Sequence, residues 1–314
     1  MIIDMHAHIA DLRALDGLQH QPPSAASLVA RLDDEGIDRA AVLPWPACPE
    51  AVTLPSLFTP HPDIVGQLRD AARYPERLIL FGNADPRWGG NAADTDYAWL
   101  LERLVEMGCV GMGEVSAYIP FDDPRTVNLF RQCGQWDLPV TIESTREGPR
   151  WERYGFIDVP GLPHLERLLQ LAPETTIIGH GPGFWADMGD GPDGPARYPY
   201  PPGPITEEGA VPRLLRRYPR LYADLSAGSG YTAITRDEAF GVAFLAEFQD
   251  KLLFGTDDCH AADEVERTPQ LGHLRALRNA GRLSQTAYDK ITYRNALRIM
   301  PRYQSESGSS EDGR

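Results

Sequence analysis

Apolar runs recur along the chain, and each is followed by a stretch of helical periodicity. The runs are MIIDMHAHI (1–9), RAAVLPW (39–45), RLILFGNA (77–84), CVGMGEVS (109–116), LPVTIES (138–144), TTIIGH (175–180), LYADLS (221–226) and KLLFGTD (251–257). Most are apolar at successive rather than alternate positions, which is the signature of parallel strands covered on both faces. Their starts lie roughly 30 to 45 residues apart, the size of a βαβ unit with variable loops.

The intervening segments carry helix signals. DTDYAWLLERLVEMG places Tyr97, Leu100, Leu101, Leu104 and Val105 on one face, with Asp94 as a cap candidate and Gly108 as the stop. Asp123 before Pro124 is a cap followed by a favoured first helical residue. GLPHLERLLQLAP, EEGAVPRLLRRYP and AFGVAFLAEF supply further helices. Eight strands alternating with helices predict an α/β fold, a single-domain (β/α)8 TIM barrel over residues 1–303. A doubly wound open sheet is the alternative. The end, QSESGSSEDGR (304–314), is polar and expected to be a disordered tail. Segments 44–63, 181–205 and 226–237 read as long loops on the C-terminal face of the barrel, where active sites form.

Composition narrows the function classes. The net charge of -15 argues against nucleic acid or an anionic membrane as partner. The four cysteines form no CxxC pair, and in a chain of this size they read as reduced thiols. No run approaches the roughly 18 apolar residues of a membrane span, and the N-terminus enters a strand directly. The expectation is a cytoplasmic protein acting on a small molecule.

Candidate chemistry gathers at the strand ends. Side chains two apart share a strand face, so Asp4, His6 and His8 are expected to point inward together, Asp4 one layer below. Glu114, Glu143, His180 and Asp257 end later runs, each after apolar residues. Singly, each has a structural role open to it: a core histidine, a helix cap, a partner for an arginine. Together, their common neighbourhood is the top centre of the barrel. Burying several carboxylates and imidazoles there is very costly unless a divalent cation balances them. Trp45, Trp185 and Tyr231 lie in the long loops and are candidate walls of a substrate pocket suited to a ring. Arg87 and Arg236 are candidate carboxylate clamps.

The segments MIIDMHAHI, VGMGEVS, IIGHGPG, LLFGTDD and ITYRNALRI, in this order over residues 1–300, resemble the amidohydrolase superfamily. The branch resembled is amidohydrolase family 2, the metal-dependent TIM-barrel hydrolases that include aminocarboxymuconate-semialdehyde decarboxylase-like enzymes. The resemblance implies His6, His8, His180 and Asp257 at a metal, with Zn2+ first and Mn2+ second. It implies catalytic roles for Asp257, His180 and Glu114. Glu143 stands where the family usually carries a histidine ligand and is counted with the metal ligands, since a glutamate can ligate zinc or manganese while weakening the Lewis acidity of the ion. The implied reaction is attack of metal-activated water on an amide, ester or lactone. Decarboxylation of an aromatic or unsaturated acid is the alternative, and a non-catalytic metal- or ligand-binding barrel the second. A homodimer is implied by resemblance only.

Overall fold

Eight parallel strands form one sheet: Ile3–Ala7 (β1), Arg39–Val42 (β2), Leu78–Gly82 (β3), Cys109–Val115 (β4), Val140–Ile142 (β5), Ile177–Gly179 (β6), Leu221–Asp224 (β7) and Leu252–Leu253 (β8), paired in that order. The computed structural model describes residues 1–9, 24–44, 64–146, 155–190, 200–259 and 269–303. The two edges meet where Ala7 bridges Asp258 in parallel, so the sheet is a nearly closed barrel, as expected. Met5 N donates to Phe254 O and Asp257 N to His6 O across the same seam, at 2.9 and 2.8 Å. Trp45 and the 304–314 tail lie outside the described residues.

Two apolar layers hold the barrel. Ile3, Met5, Ala41, Leu43, Ile79, Phe81, Val110, Ile178 and Leu253 form the inner one. The strand residues of the outer layer, among them Ala40, Val42, Leu80, Met112 and Ala223, pack against the helices. The late ITYRNALRI segment closes the lower end. Ala296 and Ile299 join the inner layer, and Asn295 Nδ2 donates to Leu252 O at 2.8 Å, anchoring β8.

Helix starts follow local chemistry. Asp123 caps Pro124–Gln135 by accepting from Arg125 N, with Pro124 in the first turn, as predicted. Asp94 is not a cap. Helix Ala98–Glu106 starts after Tyr97, whose hydroxyl donates to Pro86 O at 2.9 Å and whose N–H donates to Gln132 Oε1 at 2.8 Å. Those anchors set the start, and Asp96 takes the Ala98 N–H.

The predicted loop 226–237 is largely helix, Ala227–Thr235, despite the weak helix propensity of AGSGYTAIT. Close packing decides it: a Cβ on Gly230 would lie 2.5 Å from the backbone of Leu225. The segment after β6 is also ordered where described. It forms a short helix, Pro182–Trp185, and a two-stranded ribbon, Gly189–Asp190 with Glu207–Glu208. Among the described residues no helix is long and apolar enough to cross a membrane.

Candidate metal centre

The strand-one histidines reach the centre through an irregularity. Ile3 and Met5 face the inner layer, whereas Ala7 and Ile9 belong to the outer one. The strand therefore changes face, at the point where its register with β2 shifts between Asp4 and Ala7. Asp4 does not form a lower layer of the site, contrary to simple alternation. Its carboxylate accepts from Thr256 Oγ1 at 2.6 Å, Thr256 N at 3.0 Å and His6 N at 3.0 Å. It pins β1 to the segment that carries Asp257. Burial pushes this carboxyl up to about 7.

His6, His8, Glu114, Glu143, His180 and Asp257 all converge at the upper end of the barrel. Three sets of donor atoms lie within 4.8 Å of one another: His6, His180 and Asp257; His6, His8 and Glu114; and Glu114, Glu143 and His180. His6 Nε2 stands 3.1 Å from His8 Nε2 and 3.5 Å from Asp257 Oδ1, and His8 Nε2 stands 3.2 Å from Asp257 Oδ1. Ligands placed tetrahedrally about 2.0–2.2 Å from a zinc ion are about 3.3–3.6 Å apart. The three observed spacings are close to that range.

The other ring nitrogens are committed. His8 Nδ1 lies 2.8 Å from Leu43 O, which can only accept, so Nδ1 carries the hydrogen. His6 Nδ1 lies 2.6 Å from Asp224 Oδ2. With both rings neutral, the two Nε2 atoms face each other with their lone pairs inward, an arrangement that positive charge between them stabilises. A divalent cation fits this donor set.

The buried charges reshape one another. Burial alone would lower the His6 pKa, but the Asp257 and Asp224 carboxylates outweigh it and hold it well above the usual histidine range. Burial, and then repulsion from Glu114, push Glu143 well above the carboxylate range. Glu114 itself is held low, because hydrogen bonding and attraction to His6 outweigh its burial. Asp257 is also lowered, with the attraction of His6 outweighing its burial. It is the most exposed acid of the set, its side chain 23% accessible against 2% for Glu114 and 5% for Glu143. It also sits at φ 59°, a left-handed conformation that aspartate tolerates better than most residues.

Glu143 touches one side of the centre only. Its Oε2 lies 3.4 Å from His180 Nε2, and it shares a donor set with Glu114 and His180 but not with His6 or His8. Gly181, at φ 92°, makes room for it: a Cβ there would lie 2.3 Å from Glu143 Oε1.

The predicted pocket walls fare differently. Trp185 is not at the rim. It is 2% exposed, stacks edge-on against Phe184 and Phe244, and donates its indole N–H to Asp224 O at 3.0 Å. A large ring with one polar edge finds both packing and an acceptor there. Tyr231 is half-buried, edge-on to His273. Arg87 is held by Asp85, at 2.6 Å, and Arg236 by Gly189 O.

Sequence reasoning missed three residues. Asp224 and Ser226 sit at the end of β7, where Asp224 Oδ2 also lies 3.2 Å from His180 Nδ1 and Ser226 Oγ lies 3.0 Å from it. The signal was present: a polar residue ends the apolar run LYAD, as in the other strands. Tyr200, in a proline-rich stretch that hid it, leans over Gly228, and burial together with the charges of Glu143 and Asp257 raises its phenol.

Comparison with known proteins adds a family and a set of folds. A family model described as amidohydrolase, of the amidohydrolase-2 type, matches residues 3–302. No curated protein matches the chain. An uncharacterised TIM-barrel protein from Bordetella bronchiseptica superposes with a TM-score of 0.62 at 15% identity, covering 96% of this chain and 99% of its own. A probable 2-pyrone-4,6-dicarboxylic acid hydrolase from Acinetobacter baumannii, with citric acid bound, gives 0.56 at 15% identity, covering 96% and 99%. A 4-oxalomesaconate hydratase from Rhodopseudomonas palustris gives 0.57 at 14% identity, covering 99% of both chains. At these identities the likeness establishes the barrel fold.

Proposed function

Because the chain belongs to the amidohydrolase-2 family, whose model spans residues 3–302, we propose that it is a metal-dependent hydrolase of a small amide, ester or lactone. The observation that carries this reading is the pair of inward Nε2 atoms of His6 and His8, 3.1 Å apart with Asp257 beside both. His6, His8, His180 and Asp257 hold the ion, Zn2+ in the first instance and Mn2+ in the second. The ion supplies Lewis acidity and lowers the pKa of water from about 15.7 toward 7.

The chain's own residues do the rest. Asp257, low in pKa and partly accessible to solvent, accepts the proton of the attacking water and returns it to the leaving group. His180, its Nδ1 held by Ser226 and Asp224, keeps Nε2 turned to the ion whose charge would balance the oxygen of the reacting carbonyl. Glu114 Oε2 stands 3.8 and 3.7 Å from the Nε2 atoms of His6 and His8 and adds its negative charge to the centre. Tyr200 and Tyr231 offer ring faces to the substrate.

Metal analysis tests the reading first. Protein purified without chelator is expected to carry stoichiometric zinc or manganese. Chelation should abolish cleavage of a lactone, ester and amide panel, and returning the ion should restore it. Only trace divalent metal in the purified protein, with no uptake on titration, would sink the proposal. A second expectation concerns Glu143, which lies off the His6–His8 side. Glu143→Ala should keep full metal content, whereas His6→Ala should lose it. A Glu143→Ala protein that came out metal-free would make Glu143 a ligand.

A further inference from the structure

We propose that Asp224 is the positioning residue of the centre: one buried carboxylate holds the imidazoles of His6 and His180 in the same tautomer, each with Nε2 turned inward. The inference rests on the metal reading above for what those Nε2 atoms bind. It names the residue that makes them available.

The geometry converges on a single oxygen. Asp224 Oδ2 lies 2.6 Å from His6 Nδ1, 2.7 Å from Ser226 Oγ and 3.2 Å from His180 Nδ1. Asp224 Oδ1 takes the Ser226 N–H at 2.9 Å. A carboxylate only accepts, so His6 Nδ1 must carry a hydrogen. Ser226 gives its hydroxyl hydrogen to Asp224, which leaves its oxygen lone pair facing His180 Nδ1 at 3.0 Å. His180 Nδ1 is therefore also the N–H, and its Nε2 is left for the centre.

The carboxylate cannot swing away. Asp224 is fully buried, its carbonyl takes the Trp185 indole, and Leu225 N donates to Leu253 O at 3.0 Å. His6 comes from β1 and His180 from the end of β6, so one strand-seven residue aligns rings from two distant segments. His8 is the internal control, because its Nδ1 is held by Leu43 O and not by Asp224.

The test follows the Nδ1 hydrogens of histidine-labelled full-length protein by 15N-edited NMR, with and without Zn2+, and measures Zn2+ affinity by chelator competition. Wild type should show exchange-protected Nδ1–H signals for His6, His8 and His180. Asp224→Asn should lose protection at His6 and His180, keep it at His8, and weaken Zn2+ binding by about 10–100-fold. Ser226→Ala should disturb His180 alone. A wild-type His6 without a hydrogen on Nδ1, or an Asp224→Asn protein with unchanged Zn2+ affinity, overturns the proposal. If Asp224→Asn does not fold, the wild-type and Ser226→Ala spectra decide it. Protected Nδ1–H signals in a wild-type protein that takes up no Zn2+ would support the Asp224 yoke and overturn the metal reading instead.

Discussion

Asp257→Asn is expected to cut turnover by about 10²–10⁴-fold, the usual range for removing a general base. The substitution keeps size and shape but removes the proton-accepting oxygen. It should leave the fold intact, because the backbone of Asp257 is fixed by its N–H to His6 O. Metal content should also persist, since His6, His8 and His180 keep their inward nitrogens. The other carboxylates of the centre are buried, while the Asp257 side chain stays partly accessible to water. The check is turnover of whichever panel substrate wild type cleaves, alongside metal content of the variant. Unchanged turnover would remove Asp257 from the proton path. Loss of metal together with activity would make it chiefly a ligand.

Trp185→Ala is expected to destabilise the protein by about 3–5 kcal/mol, the range for deleting a buried tryptophan. That is a large share of the roughly 5–15 kcal/mol that holds a typical domain folded. Two losses combine. The cavity left between Phe184 and Phe244 cannot collapse easily in a packed layer. The Asp224 carbonyl also loses its indole donor while remaining buried. Trp185→Phe separates these effects. It keeps most of the packing and should cost about 1 kcal/mol plus whatever the smaller ring leaves unfilled. Urea unfolding of the three proteins measures both differences. A Trp185→Ala midpoint equal to wild type would show that Trp185 is peripheral after all.

Much of the architecture was readable along the chain. Eight apolar runs preceded helical stretches, and each became one barrel strand, because run length and apolar periodicity are local properties. The chemical residues at strand ends were readable for a related reason. A carboxylate or imidazole that follows an apolar strand must emerge at the strand's end, and in a barrel all such ends meet. His6, His8, Glu114, His180 and Asp257 were found that way, and they do converge.

What stayed hidden depended on which distant segments touch. Strict alternation put Asp4 beneath the histidines, but the register shift in β1 turned the strand over, and register is set by pairing with β2 rather than by the residues of β1 alone. Trp185 looked like a pocket wall because it lies in a loop. Its burial followed from Phe244 and the Asp224 carbonyl, which reach it from other parts of the chain. Asp224 carried the same strand-end signal as its counterparts but gains its meaning from His6, 218 positions away. Apolar periodicity and strand-end chemistry are written locally, so they settled the barrel and most of its donor set in advance. Tautomers, burial and hydrogen-bond partners belong to surfaces that exist only once β1, β6, β7 and β8 close together, and the folded barrel alone assigned them.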